Sequence, residues 1–443
     1  MAITKMSIPP ADVHETLGKH MLVDGFDLVV DLQKSKGSRL YDSRRNRDFL
    51  DMFSFFASNP LGMNHPALAD KAFLSKLTRA AVHKPSNSDI YTVEMAEFVE
   101  TFGELAMPRH TDYLFFIEGG GLAIENALKA AFDWKIRKNF KAGSKLEVGT
   151  QVLHFREAFH GRTGYTLSLT NTEPVKIEYF PKFNWPRIEN PKITFPLEGE
   201  NLAAVKAAEE RALSQIEQAF ASNRGDIAAI IIEPVQGEGG DNHFRAEFMQ
   251  ALRKAATDND AMLIFDEIQT GLGLTGKMWC FEHFGVKPDM VCFGKKSQVC
   301  GVACSKRIDE VPDNVFKVSG RINSTWGGNL VDMVRCQKFL EVIKEENLIE
   351  NAAGMGARLL EGLRSIQGRF SAKVQNARGL GLMCAFNLAN TELRDKLFSK
   401  TYDNGLIVLK TGARGIRFRP ALNVTPTDID EALDKLGDSL TQV

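Results

Sequence analysis

The chain has 443 residues, 44% hydrophobic and 25% charged, enough to bury a large core in two or three domains. Its 55 Lys and Arg against 56 Asp and Glu leave a net charge of −1, so no positive excess argues for nucleic acid or an anionic membrane surface. No run reaches the roughly 18 apolar residues of a spanning helix, and the polar start MAITKMSIPPADVHE has no apolar core of a signal peptide. The six Cys are scattered without a CxxC, and Cys300 and Cys304 have no nearby His set. No metal is expected, and a reducing cytoplasm is the expected compartment.

In chain order, KGSRLYDSRRNRDFLDMF alternates apolar and polar residues on both sides of SRRNR, which predicts a hairpin. In FSFFASNPLGMNHPAL the pairs Asn59-Pro60 and His65-Pro66 interrupt regular structure. Phe53, Phe55 and Phe56 read there as core, with a substrate-pocket wall as the other reading. Residues 66–103 follow a helical pattern. The strand DYLFFIE then runs into Gly119-Gly120-Gly121 and the helix LAIENALKAAFDWKIRKN. Such a joint can present free N–H groups to an anion, or serve packing alone. It is not G-x-G-x-x-G, so a dinucleotide is not favoured.

The strand QVLHF is followed by Phe159-His160-Gly161-Arg162. Phe159 reads as core or as a stacking platform, Arg162 as a surface pair or a carboxylate ligand. Residues 174–200 are loop-rich, and a helix is expected over about 201–222. The buried strand in IAAIIIEPVQGEGG delivers Glu233, Gln236 and Glu238. The two acids of such a stretch are usually solvated, unless parallel strands share an edge there.

Two further apolar runs, Met262 to Phe265 and Met290 to Phe293, have the character of buried parallel strands. One ends in Asp266-Glu267, the other in Gly294-Lys295-Lys296. An acid and a lysine at the carboxyl edge of one sheet form either a salt bridge or the two ends of a pyridoxal 5′-phosphate (PLP) site. Between them, Gly271 to Lys277 fits G-x-x-x-x-G-K, the mark of an NTPase. Met278 in place of Ser or Thr, and an acidic strand directly before the loop, count against it.

Residues 331–363 are helical by pattern. VQNARGLGLMCAFNL reads as a glycine-kinked strand, and the end as two strands and a helix capped by Thr427. Strand–helix alternation from about 111 to 330 marks one large α/β domain, with the two ends packing together as a smaller one.

Taken together, these stretches resemble the class III (ω-) aminotransferases, PLP enzymes of fold type I. The resemblance covers about residues 35–430. It centres on the strand ending DEIQTG followed by FGK, with IIEPVQGEGG, AFHGR, IRFRPAL and NHPAL in support. FFASNPLGMNHPAL, EGGGLAIENALKAAFDWK, FGKKSQVCG and NSTWGGNL resemble the family's lysine-specific branch. The usual Ser-Gly-Ser-Glu phosphate loop is here Gly119 to Leu122, and the usual glycine-rich tail after the lysine is KSQVCG. Both departures agree with that branch.

The resemblance implies a large domain over 71–334 with a mostly parallel seven-stranded sheet, and a smaller α+β domain from 1–70 and 335–443. It implies a homodimer that moves the ε-amino group of L-lysine to 2-oxoglutarate. Ornithine, GABA and diamine enzymes of the same family are the alternatives. Lys295 would hold PLP covalently, Asp266 would pair with the pyridine nitrogen, and Lys296 would be structural. Gln269 would reach the phenolic oxygen, Phe159 and Ile268 would cover the ring faces, and His160 and Glu233 would lie among the cofactor contacts. Gly120 and Gly121 would bind the phosphate, joined by Thr325 of the partner subunit. Arg162, Glu238, Asn323 and Arg417 would handle substrate, with Glu238 neutralising Arg417 when the ω-amine enters.

Overall fold

The computed structural model describes residues 8–443; residues 1–7, which open the polar start, lie outside them. The first strands, β1 (Arg39–Asp42) and β2 (Arg47–Asp51), form the expected antiparallel hairpin. Next come β3 (Tyr113–Ile117), β4 (Gln151–Phe155), β5 (Arg187–Ile188), β6 (Ile227–Ile232), β7 (Met262–Asp266), β8 (Met290–Phe293) and β9 (Cys300–Cys304). These seven make one sheet in the order β3-β9-β8-β7-β6-β4-β5. Neighbours from β8 to β5 run parallel, and β9 is antiparallel to both β8 and β3.

Alternation along the central strands explains their unbroken apolar runs. Leu263 and Phe265 of β7 face one core, shared with Val291 and Phe293. Met262 and Ile264 face a second core, with Met290 and Cys292. A sheet buried on both faces has no polar side to interrupt the pattern. Helices Gly120–Lys141, Gly199–Ser222 and Ala246–Asp258 connect the strands. The parallel strands therefore deliver residues 156–162, 233–238, 266–269 and 294–296 to one edge, where an open α/β sheet places its ligands.

The C-terminal part departs from the sequence pattern. The helical run over 331–363 is two helices, Leu330–Glu345 and Leu348–Arg369, separated where Asn347 takes φ 53°. The kinked strand is a hairpin, β10 (Val374–Leu380) and β11 (Met383–Leu388), that turns at Gly381. Helix Thr391–Asp403, which no pattern pointed to, precedes three short strands rather than two: β12 (Leu406–Ile407), β13 (Leu409–Thr411) and β14 (Gly415–Phe418). Two small sheets result, β10-β11-β14-β13 and β1-β2-β12, and in the second β12 runs parallel to β2. The two ends of the chain thus share hydrogen bonds. The last helix, Pro426–Thr441, is capped by Thr425 and not by Thr427, with Thr425 and Asp428 forming a reciprocal capping box. Pro426 suits the first helical position, which puts the cap one residue earlier.

Gly381 ties this part to the central loop after β7. Its φ is +54°, and a Cβ there would lie 2.4 Å from the Thr275 carbonyl carbon and 2.6 Å from Leu274 O. Leu382 N–H donates to Leu274 O at 2.9 Å beside it. Gly381→Ala should therefore destabilise the protein by about 2–4 kcal/mol. Thermal unfolding should show a midpoint several degrees lower; an unchanged midpoint would mean that this close approach is not needed.

Candidate active site

A cavity of about 520 Å³ opens at the carboxyl edge of the sheet. It brings together Gly120, Gly121, Phe159, His160, Arg162 and Glu233 with Glu238, Asp266, Ile268, Gln269 and Lys295. They come from four strand ends and one helix start, far apart in the chain.

Asp266 and Lys295 do not pair. Asp266, 5% exposed, accepts from Ile268 N–H at 3.1 Å and meets His160 Nδ1 at 2.8 Å. Nε2 of His160 is buried without a partner. Lys295 starts a short 3₁₀ turn with φ 53°. Burial and the charge of Arg417 lower its amine to about 8. Lys296 points elsewhere: its Nζ donates to Gln269 O at 2.7 Å and to Ala57 O at 3.4 Å. Burial first, then the Lys295 charge, pulls it well below the ordinary lysine range. Glu233 accepts from Phe159 N–H at 2.8 Å and Gly237 N–H at 3.0 Å. Burial, reinforced by Asp266 against the opposing pull of His160, lifts its carboxyl to about 7.

Behind the lining residues Glu238 and Gln269 stand two buried arginines of the β14 segment, neither of which lines the cavity itself. Arg417 Nη2 donates to Glu238 Oε2 at 2.5 Å, while its Nε and Nη1 are buried without partners. Burial alone would raise the Glu238 carboxyl, but Arg417 and Lys176 hold it at about 2. Arg419, two residues on and so on the same face, forms a bidentate pair with Asp241 at 2.6 and 2.8 Å. It also donates to Gln269 Oε1 at 2.9 and 3.0 Å. Sequence reading missed Arg419, although the strand period of two in IRFRP puts it beside Arg417.

Phe55 and Phe56 line the cavity and are 36% and 46% exposed, so the expectation of core is wrong for both. Ser54, Phe55, Phe56 and Ala57 all have positive φ, 38° to 64°, a left-handed turn that swings both rings outward. Phe53 does join a core, with Phe49, Leu40 and Ile407. Ser58, Gly161, Val235, Thr270 and Cys300 complete the lining; they lie within the quoted motifs, but no role was expected of them. Asn323 and Thr325 do not reach the cavity of their own chain: both are exposed, and Asn323 Oδ1 caps its neighbour's N–H.

Helix Gly120–Lys141 points its N-terminus at the cavity, and its cap, Gly119, supplies no side chain. Ala123 N–H to Gly119 O is its first helical bond, so earlier N–H groups lack a helical acceptor. A Cβ on Gly120 would sit 3.0 Å from Ile268 Cδ1, so glycine lets the backbone close on the site. The rival glycine loop, Gly271 to Lys277, opens no helix. Its Gly276 packs on Ala353 and Lys277 Nζ donates to Glu282 O at 3.1 Å, so it cradles no phosphate.

An acid, an anion-binding helix start and a lysine around one cavity fit a small phosphorylated pyridine, and the open Nε2 of His160 and N–H groups of the glycine turn add to the fit. The aminotransferase class-III family matches residues 23–440. The chain is a class III aminotransferase. It is 52% identical to the L-lysine-epsilon aminotransferase of Mycobacterium tuberculosis over 444 residues, 100% of this chain and 98% of that one. It is 50% identical to the enzyme of that name from Streptomyces clavuligerus over 434 residues, 98% and 94% of the two chains. The solved structure of M. tuberculosis lysine aminotransferase in its internal aldimine form superposes with a TM-score of 0.96, covering 98% of this chain and 100% of that one at 52% identity. As a class III aminotransferase, the enzyme uses PLP.

The lowered amine of Lys295 has a direct test in protein stripped of PLP. Burial and Arg417 favour the neutral form, so the nucleophile is present above about pH 8 and lost below it. Acylation of Lys295, followed by peptide mass mapping, should show a midpoint near 8 rather than at the ordinary 10.5; a midpoint near 10 would refute the shift.

Proposed function

We propose that this aminotransferase moves the ε-amino group of L-lysine to 2-oxoglutarate, giving 2-aminoadipate 6-semialdehyde and L-glutamate. The observation that carries this reading is Glu238 in the cavity lining with Arg417 bonded behind it and Arg162 in the same lining. An ω-amine must enter an uncharged end of the site, and a 2-oxo acid needs a cation there. A carboxylate that covers the arginine for one substrate and leaves it for the other meets both needs. The names of the relatives at 50–52% identity support lysine as the donor.

When bound, PLP supplies the electron sink that lets an amino-bearing carbon lose a proton. The residues of the chain do the rest. Asp266 would hold the pyridine nitrogen charged, and His160 would fix that carboxylate. Gly120 and Gly121 would bind the phosphate through N–H groups. Phe159 and Ile268 would bound the ring, and Gln269, held by Arg419, would meet its oxygen, with Glu233 behind Phe159. Arg162 would take the α-carboxylate of lysine. Lys295 Nζ, neutral above about pH 8, would move the proton from the lysine ε-carbon. With one cavity for both substrates, lysine must leave its amino group before 2-oxoglutarate enters.

We further propose a homodimer in which Thr325 and Asn323 serve the neighbouring cavity. Asn87 N–H to Trp326 O and Ser88 Oγ to Ser324 O hold residues 86–93 against this segment. The exposed Ile90, Tyr91, Val93 and Trp326 make the apolar patch that an interface would cover. Six cysteines buried as thiols suit a reducing cytoplasm. No helix among the described residues is long and apolar enough to cross a membrane.

Mixing the PLP-loaded enzyme with L-lysine, ornithine or GABA, without an acceptor, should bleach the cofactor band fastest with lysine. The margin over ornithine, one methylene shorter, should be roughly 10–200-fold; a faster ornithine or GABA reaction would overturn the substrate. Lys295→Ala should lower turnover by roughly a thousandfold or more, while Lys296→Ala should leave a functional amine in the cavity. The reverse pattern would reassign the lysine.

A further inference from the structure

The carboxylate that covers Arg417 has a second cation on its other oxygen. Lys176 Nζ donates to Glu238 Oε1 at 2.7 Å, while Arg417 holds Oε2 at 2.5 Å. Lys176 comes from the loop-rich stretch after β4, in a 3₁₀ turn at Pro174–Lys176, where no motif drew attention to it. Its side chain is 9% exposed. Glu173 at 3.3 Å is its one other acid partner among the described residues, and that side chain is 51% exposed. Its Nζ also lies 5.5 Å from the Phe159 ring centroid, a ring that Arg162 approaches at 5.9 Å. Lys176 does not line the main cavity; it stands behind Glu238, in a neighbouring cavity that Glu238 also lines, and is held there by groups of the site.

The consequence follows from the cost of moving a buried charge. For a substrate carboxylate to dock on Arg417, Glu238 must give up that partner. A carboxylate released into a half-buried wall with no other cation loses a charge-assisted bond and gains little water in return. Lys176 already holds the opposite oxygen. With Lys176 in place Glu238 can rotate off Arg417 without being unpaired, and Arg417, which already has two unpartnered donors, then has a third free for an incoming acid. We propose that Lys176 is a positioning residue that retains Glu238 when Arg417 is uncovered, and so sets the affinity for the 2-oxo acid. This rests on the reading that the acceptor carboxylate docks at Arg417.

The experiment compares wild type, Lys176→Met and Lys176→Arg in the two half-reactions, each followed by the cofactor spectrum in the PLP-loaded enzyme. With Lys176→Met, KM for 2-oxoglutarate should rise about tenfold, the scale of one charge-assisted bond. The lysine half-reaction should suffer at least threefold less than that, because there Glu238 stays on Arg417. Lys176→Arg should recover most of the loss. In a Glu238→Gln background, Lys176→Met should add nothing, which separates a direct role from a change in overall field. Equal losses in both half-reactions, an unchanged KM, or additive losses in the Glu238→Gln background would each overturn the inference. If wild type fails to react with lysine, the substrate reading falls instead, and the comparison is made with whichever amine donor reacts.

Discussion

A carboxylate at the end of a strand buried on both faces has nowhere to find water, and the site is built outward from that constraint. Asp266 terminates β7 at 5% exposure. Isolated burial of such a charge would cost several kcal/mol, so the fold supplies partners: an N–H two residues on and the His160 ring. His160 in turn must be brought from the end of β4, and Glu233 from the end of β6 fixes the loop that carries it through the Phe159 N–H. One buried acid thus recruits two neighbouring strand ends. Lys295, one strand along on the other side, is left without a carboxylate. Asp266 and Glu233 offset its burial beside Arg417 only in part, and its amine is lowered to about 8.

The same constraint separates what could be read in the chain from what could not. Strands β4, β6, β7 and β8 were legible because burial on two faces writes unbroken apolar runs, and the residues just after them were legible as site candidates because parallel strands share an edge. The glycine turn before helix Gly120–Lys141 was legible for a similar local reason. β9 was not: CGVAC carries Cys, Gly and Ala, small residues that state no period, and its antiparallel placement rests on pairing with β3 and β8. Turns decided by one residue were lost as well. Asn347 divides a helical pattern that is continuous in composition, and Gly381 converts one strand into two.

Partners across long separations were the other gap. Arg417 and Glu238 lie 179 residues apart, and their meeting was reached by resemblance alone. Lys176 and Asp241, which complete the ion network around them, have no motif. Charge balance explains why the network holds two carboxylates. Two buried guanidinium groups at 417 and 419 repel each other, and each carries its own carboxylate, Glu238 and Asp241. The two pairs differ in a way that matters. Arg419–Asp241 is bidentate with both side chains fully buried, so breaking it would strand two charges, and it serves as a fixed support for Gln269. Arg417–Glu238 is bonded through a single guanidinium nitrogen, and the Glu238 side chain is 28% exposed. That pair is the more loosely bonded of the two, and its Glu238 lines the cavity.

The left-handed turn at Ser54–Ala57 shows how the ends of the chain take part in this site. Four consecutive residues at positive φ, two of them phenylalanine, carry strain on the order of 1 kcal/mol or more each. They hold it because the turn is tied at both ends. Asp51 Oδ1 accepts from Phe53 and Ser54 N–H groups at 2.8 Å, and Ser54 Oγ donates to Arg419 O at 2.5 Å. On the far side, Lys296 reaches Ala57 O and Gln298 Nε2 donates to Ser58 O at 2.7 Å. The lysine next to Lys295 thus spends its amine N–H groups on the backbone of the wall, while Arg419, two residues from Arg417, lends the turn its carbonyl. The turn, and with it the place of Phe55 and Phe56 on the cavity, is thus held by Lys296 and Arg419, residues close in the chain to Lys295 and Arg417, which links β2 and the terminal sheet to the lysine-bearing edge of the main sheet.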